Sequence, residues 1–304
     1  MTGPVRTVAG LCCAAALLLT AATAGAQIED QLSAYTGDNA EGYLEPLALA
    51  IGANLNSALF HSAYVPEDGF HISLETPVMA VLFSDDDRTF MAVAEDGFVP
   101  EGDVSEFEVP TVIGDTTAFF VNGMGGTSFA FPAGLDLSSF ALAMPQVRIG
   151  SVKGTEALIR YISLDTGESE VGKVSLLGLG ARHSISQYMD DPPMDMAVSF
   201  MYHSFELGDE LIDSTAMTFG IQAGKRFGEG WFRFEPYAGL SYDTFSMDVS
   251  YESDEGDAID VSFDSRSTAH LTLGANAQLS AVSLYGEYNI AEQSGFAFGL
   301  GIGM

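Results

Sequence analysis

Seven charged residues carry most of the chemistry this sequence could do. Arg148, Arg160, Arg182 and Arg233 fall on one face of segments whose other face is apolar, and Glu156, Glu235 and Glu287 fall on that same face. Guanidinium and carboxylate groups gathered in one enclosure either neutralise each other in an internal salt-bridge network or leave a positive site for an anionic solute. A three-residue loop of Lys153, Gly154 and Thr155 keeps the faces unmixed and sets Arg148 directly opposite Arg160. Such a like-charge pair needs an anion or carboxylate between its members.

Other candidate chemistry is thinner. His203-Ser204 with nearby acids has the ingredients of a hydrolase site, but no nucleophile motif with a glycine elbow accompanies it. His61, His71, His183, His203 and His270 show no metal-ligand spacing, and Gly123-Met124-Gly125-Gly126 lacks the lysine of a phosphate loop. Glu252, Asp254, Glu255, Asp257 and Asp260 could gather a cation, yet their spacing misses the helix-loop-helix calcium pattern and suits a solvated acidic loop. The expectation is therefore no catalytic, cofactor or metal site, and a protein that is not an enzyme.

What must position the seven charges is a chain of 304 residues with 42 acidic against 11 basic side chains, a formal charge of −31. That balance excludes a nucleic-acid binder, which needs clustered Lys and Arg to neutralise phosphates. With 47% hydrophobic and 17% charged residues the chain is also far from the disordered class. Residues 1–26 read as an export signal: Arg6 precedes an apolar run from Val8 to Leu19, and Ala24-Gly25-Ala26 supplies the small-residue cleavage site. Cleavage after Ala26 removes both cysteines, Cys12 and Cys13, so the mature chain is held by packing or by a membrane rather than by disulfides.

No later stretch approaches the 18 or so apolar residues that a membrane helix needs, which leaves a closed β-barrel as the spanning solution. From residue 142 onward the pattern of such a barrel repeats. Phe296, Phe298, Leu300, Ile302 and Met304 alternate with small residues; Phe232, Phe234, Pro236, Ala238, Leu240 and Tyr242 alternate with Arg233, Glu235, Tyr237, Gly239, Ser241 and Asp243. Seven further segments behave alike, around 147–150, 157–161, 177–182, 196–203, 217–224, 271–278 and 282–290. Counted back from the C-terminus, connections near 165–170, 206–214, 251–260 and 291–295 fall at one end. Three of those four are the longest in this half, as outer loops of a barrel should be.

Upstream, Phe70 to Leu82 suggests one long strand, Ser84 to Asp87 an acidic turn, and Thr89 to Ala94 and Thr111 to Val121 two more strands, with Asn122 to Phe140 as a long outer loop. The total is about twelve strands, within a range of ten to fourteen. Residues 38–60 instead show helical spacing through Leu44, Leu47, Ile51, Leu55 and Leu59, with Asp38 and Glu41 spaced as a capping box. This helix reads as a structural plug or as a helix lying at the periplasmic rim, or else as a movable gate whose Glu41 and Glu45 pair with lumen arginines. The expected organisation is a signal over 1–26, a helical plug segment over 27–68 and an all-β transmembrane antiparallel barrel over 69–304.

A resemblance accompanies these features. Tyr43-Leu44-x-Pro46, Ala50-Ile51-Gly52-Ala53-Asn54-Leu55-Asn56, Pro110-Thr111-Val112-Ile113-Gly114, Met144-Pro145-Gln146-Val147-Arg148-Ile149-Gly150, Lys153-Gly154-Thr155-Glu156 and Arg160-Tyr161 resemble an uncharacterised bacterial domain-of-unknown-function family. The resemblance covers most of the mature chain and implies an exported, barrel-like protein without implying an activity. In architecture alone, an N-terminal segment able to plug the lumen is similar to the long-chain fatty-acid transporters, although their glycine-rich N-terminus is absent. The chain also ends in Met304 rather than in the aromatic residue usual for assembled barrels. The functional expectation is passive or gated passage of a small or lipid-like solute through the outer membrane, with membrane lipid as the surrounding partner. The alternatives are a non-transport barrel whose acidic loops bind partners or cations, and a soluble periplasmic β-sheet binder.

Overall fold

The computed structural model describes residues 32, 34–35, 37–95, 97–102, 104–165, 173–208, 211–252 and 258–303. The expected export signal, the acidic positions 253–257 and the terminal Met304 lie outside the described residues. Among the described residues a long helix, α1 (Gly37–Leu55), precedes the strands β1 (His71–Leu82), β2 (Thr89–Val93), β3 (Glu106–Pro110), β4 (Phe119–Asn122), β5 (Ser128–Phe131), β6 (Ser139–Ala143), β7 (Gln146–Val152), β8 (Thr155–Asp165), β9 (Lys173–Ser184), β10 (Asp195–Leu207), β11 (Ile212–Gly224), β12 (Phe232–Glu252), β13 (Ala258–Leu279), β14 (Val282–Ile290) and β15 (Gly295–Gly303).

Ten of these strands close a barrel. From β7 to β15 each strand pairs antiparallel with the next, β7 pairs with β1, and β15 returns to β1 in register from Ser73↔Gly303 to Val81↔Gly295. On its other edge β1 meets β7 at the lower end and β6 at the upper end, the interruption falling at Met144-Pro145, where proline has no N–H for the ladder. The nine segments read from residue 147 onward are all wall strands, and Phe70 to Leu82 supplies the tenth.

The barrel thus closes at ten strands, the lower end of the expected range, because the segments expected at 89–94 and 111–121 do not join the wall. Thr89–Val93 is a strand, but it pairs only with β3 in a separate two-stranded sheet, and β4 pairs with β5 in another. Only Phe119–Asn122 touches the second expected strand. Alternation shows that one face is apolar, not what covers it. Here Ala92, Val109, Val112, Ile113 and Phe131 pack on Tyr43, Leu44 and Leu47 of α1 rather than facing outward. The described residues between 83 and 138 thus cap the upper end, and wall residues Phe205, Ile212, Met247, Val249 and Phe263 complete that apolar core. Burial pushes the phenols of Tyr35 and Tyr43 above their usual range and that of Tyr251, in the overhang of β12, up to about 12.

Below the cap the wall is apolar outside. Leu177 and Leu179, Val198 and Phe200, Phe219 and Ile221, Phe232, Phe234 and Leu240, Leu284 and Tyr288, and Phe298, Leu300 and Ile302 are all exposed. Tyr161, Tyr202 and Tyr242 top this outward run on three different strands, and Trp231 stands exposed at the lower end. The expected contrast of loop lengths is absent, because the lower connections over 185–194 and 225–231 are no shorter than the upper ones over 208–211 and 291–294. The asymmetry lies instead in strand length. β12 and β13, at 21 and 22 residues, rise past the apolar band as a paired overhang that takes in residues 251–252 and 258–260 of the expected loop.

Inward glycines do not leave an open pore. Tyr285 pairs with Gly299 and Tyr237 with Gly274 across adjacent strands, and a Cβ on either glycine would run into the tyrosine ring. Gly301 is covered in turn by Glu75 and Ser283.

Candidate functional site in the barrel lumen

The lumen is filled by chain. After α1 ends at Leu55, residues 56–65 descend along the barrel interior, and β1 starts at the lower end with His71. Threaded backbone has no helix or sheet to satisfy its N–H and C=O groups, so wall side chains must do so. Arg160, fully buried, donates from Nη1 to Leu55 O (3.0 Å) and from Nη2 to Ser57 O (2.8 Å) and Ala58 O (2.7 Å). These carbonyls lie at and just beyond the C-terminus of α1, where a cation also complements the helix dipole. Arg182 donates to Ser62 O and to Tyr64 O (3.1 Å), and Gln222 to Phe60 O (2.8 Å).

The amides are taken from the opposite wall. Glu287 accepts the Ala58 N–H (2.7 Å), and Glu235 accepts the Ala63 N–H and the Ser62 hydroxyl, both at 2.7 Å. The lumen is therefore polarised, with arginines on β8 and β9 gripping carbonyls and carboxylates on β12 and β14 gripping amides. Held between them, Ala58 adopts φ 54°, a conformation an alanine rarely takes.

The expected charges fall into this frame as follows. Arg148 lies inside, but not opposite Arg160. The Lys153-Gly154 turn has two residues, both at positive φ (48° and 69°), with Val152 facing Thr155. A register shift between Ile149 and Val152 then restores the faces, so Gln146 pairs with Arg160 and Arg148 with Leu158. The like-charge pair is relieved by this bulge rather than by an anion. Gln146 accepts from Arg160 Nε (2.8 Å) and donates to Glu75 (2.7 Å), while Glu75 pairs with Arg148 at 2.9 Å. Glu156 pairs with Arg182 (2.6 Å) and with His71 (2.7 Å). Arg233 lines the lower cavity with no ion-pair or hydrogen-bond partner among the described residues. Glu41 and Glu45 sit half-buried on α1, and Arg148, Arg160 and Arg182 find their partners elsewhere, so the expected gate pairing with these arginines is not formed.

His203 and Ser204, adjacent on β10, point to opposite faces as strand neighbours must; His203 is buried beside Arg160 Nη1 at 3.5 Å. Several lumen residues escape a search for charge clusters alone. Glu75 follows Ser73 on the inward face of β1, which the period of two already marks. His61 stacks on Tyr285, with ring centroids 4.1 Å apart and planes 6° apart. Asp243, His270 and Asn289 form a buried chain, Asp243 to His270 at 2.7 Å and His270 to Asn289 at 2.9 Å.

Cavities remain around the threaded segment among the described residues. Two of about 50 Å³ share Asn56 and His270 in their linings, one beside α1 near Gln293 and one between Phe60 and Gly239. The third, of about 480 Å³, occupies the lower end between Arg148, Arg182, Arg233, Glu235 and Asn276. Tyr237, whose hydroxyl donates to Glu287 (2.9 Å), stands between Glu235 of the lower cavity and Gly239 of the middle one.

No curated protein matches the chain. Among solved structures it is similar to an in-vitro folded outer membrane protein OmpT of Vibrio cholerae, at 8% identity and TM-score 0.28, over 78% of this chain and 98% of that one. It is also similar to the β domain of the Bordetella autotransporter BrkA, at 11% identity and TM-score 0.28, over 76% and 98%. A porin is matched at 13% identity and TM-score 0.23, over 78% and 100%. The family of unknown function DUF6588 matches residues 5–304, and the chain belongs to it.

Proposed function

We propose that this protein is an outer-membrane barrel, exported by residues 1–26, that passes a small polar solute when its threaded segment yields. Several features support the membrane setting. The outward apolar run on β12 from Phe232 to Tyr242 suits the roughly 9–11 residues a tilted spanning strand needs, and tyrosines top it on three strands. An apolar exterior of this extent has no place on a soluble sheet protein.

The observation that carries the passage reading is how residues 56–65 are held. Charged side chains hold them through the backbone, and their apolar anchoring is slight: Leu59 and Phe60 join Leu158 and Met201 in a small cluster. Water can take over such hydrogen bonds, each contributing a net of about 1.5–3 kcal/mol where a charge is involved. By contrast, α1 buries Tyr43, Leu44, Leu47, Ile51 and Leu55, at about 1.5–3 kcal/mol each, and stays in place. Movement of 56–65 joins the lower cavity to the two small ones. The polar lining favours a polar solute over a lipid-like one.

A second reading, a barrel that conducts nothing, is favoured by the apolar packing of the upper cap. Efflux of a trapped small sugar from proteoliposomes decides between them. The passage reading expects slow efflux from the wild type and faster efflux from Arg160→Ala/Glu287→Gln. Tight vesicles in both cases support the second reading.

A further inference from the structure

We infer that the lower cavity is a binding site for a small carboxylate that carries hydrogen-bond donors close to its acid group. The inference rests on the reading of the barrel as one that handles a polar solute, and it specifies the class of that solute. The cavity, at about 480 Å³, is within the range of small-molecule sites. Around it the charges cancel in pairs: Arg148 with Glu75, Arg182 with Glu156, and Arg226 with Asp195 at 3.0 Å while it stacks on Tyr64. Glu235 is engaged by the threaded segment through both oxygens.

Two neighbouring groups of the lining have no partner among the described residues. Arg233, which is exposed, forms no ion pair or hydrogen bond among the described residues, in a chain whose basic residues are few. Asn276 is 8% exposed, and its Oδ1 is a buried acceptor that receives no hydrogen bond. Register sets Arg233 opposite Gln278 and Glu235 opposite Asn276, so the free donor fork and the orphan acceptor lie diagonally on adjacent strands, facing the same space. Such a diagonal spans several ångströms. A guanidinium fork binds a carboxylate through two parallel hydrogen bonds, and a buried carbonyl oxygen requires a donor. A hydroxyl near the acid group meets both needs, whereas a simple fatty acid leaves Asn276 unsatisfied.

Calorimetry on the detergent-folded full-length protein tests this with gluconate as probe, and with acetate and glucose as controls lacking the hydroxyls and the carboxylate respectively. Saturable gluconate binding is expected, with acetate and glucose each at least tenfold weaker. Arg233→Gln should weaken gluconate at least tenfold. Asn276→Leu, which removes an unsatisfied group and leaves the barrel folded, should weaken gluconate severalfold and leave acetate unchanged. Absence of gluconate saturation at millimolar concentration, or equal affinity in Arg233→Gln, overturns the proposal. Because binding is read without a membrane crossing, a barrel that binds gluconate but releases no vesicle contents removes the passage reading and keeps this one. A barrel that leaks but does not bind does the reverse.

Discussion

Arg160 and Glu287 hold the same residue from opposite walls: Nη2 of Arg160 donates to Ala58 O and Oε1 of Glu287 accepts the Ala58 N–H, each at 2.7 Å. The peptide groups on either side of Ala58 are thus aligned across the lumen, and the left-handed conformation at Ala58 is the local cost. Ala58→Gly should leave the denaturation midpoint nearly unchanged, since relief of strain of about 1 kcal/mol is offset by greater freedom in the unfolded chain. Ala58→Val, β-branched in a site 2% exposed, should lose about 2–4 kcal/mol. Urea unfolding of the two variants side by side checks the contrast.

Glu75 and Arg148 form a pair that is worth more intact than halved. Glu75→Gln leaves Arg148 facing His61 and Ser73 with its charge uncompensated, and should cost about 3–5 kcal/mol. The double variant Glu75→Gln/Arg148→Gln should recover a large part of that loss. A double-mutant cycle on unfolding free energy measures the coupling, and additive losses would refute the pairing.

Much of this arrangement is legible in the sequence. The period of two between Phe232 and Asp243 marks Arg233, Glu235 and Tyr237 as inward before any coordinates are known. Helical spacing from Leu44 to Leu55 marks α1, although Asp38 stands inside its first turn rather than at its cap. What period alone does not show is the covering of an apolar face. Thr89–Val93 alternates like a wall strand, but its buried Ala92 meets the helix core. Register at Lys153-Gly154 is equally hidden, because a two-residue turn with a bulge and a three-residue loop both keep the faces apart. Only the first brings Gln146 to Arg160. The role of residues 56–65 was obscured for a different reason, since hydrogen bonds from side chain to threaded backbone have no sequence period.

Tyrosine packs closely against glycine across strands inside the wall. Gly299→Val would drive a side chain into the Tyr285 ring, which already stacks on His61 and has no space to retreat. Unboiled gel mobility should show loss of the compact folded form in Gly299→Val. The pair Gly299→Val/Tyr285→Ala should regain it, as a barrel with the ring removed has room for the new side chain.

Alkaline pH should loosen the upper cap before the barrel. Folded Tyr35, Tyr43 and Tyr251 have phenol pKa values raised above the unfolded value by burial, so the stability they contribute is complete below pH 10 and declines as pH rises toward 12. Tyrosine absorbance should titrate late and together with a rise in protease sensitivity of residues 83–138. Tyr43→Phe should shift that onset upward in pH.

The role of Arg160 and Glu287 is most directly read by single-channel recording in planar bilayers. With the threaded segment as the gate, the wild type should be closed most of the time, and Arg160→Ala/Glu287→Gln should show at least a tenfold higher open probability while keeping the heat-modifiable mobility of a folded barrel. Silent bilayers from a correctly folded double variant, or a wild type that conducts continuously, would contradict a lumen gated by residues 56–65.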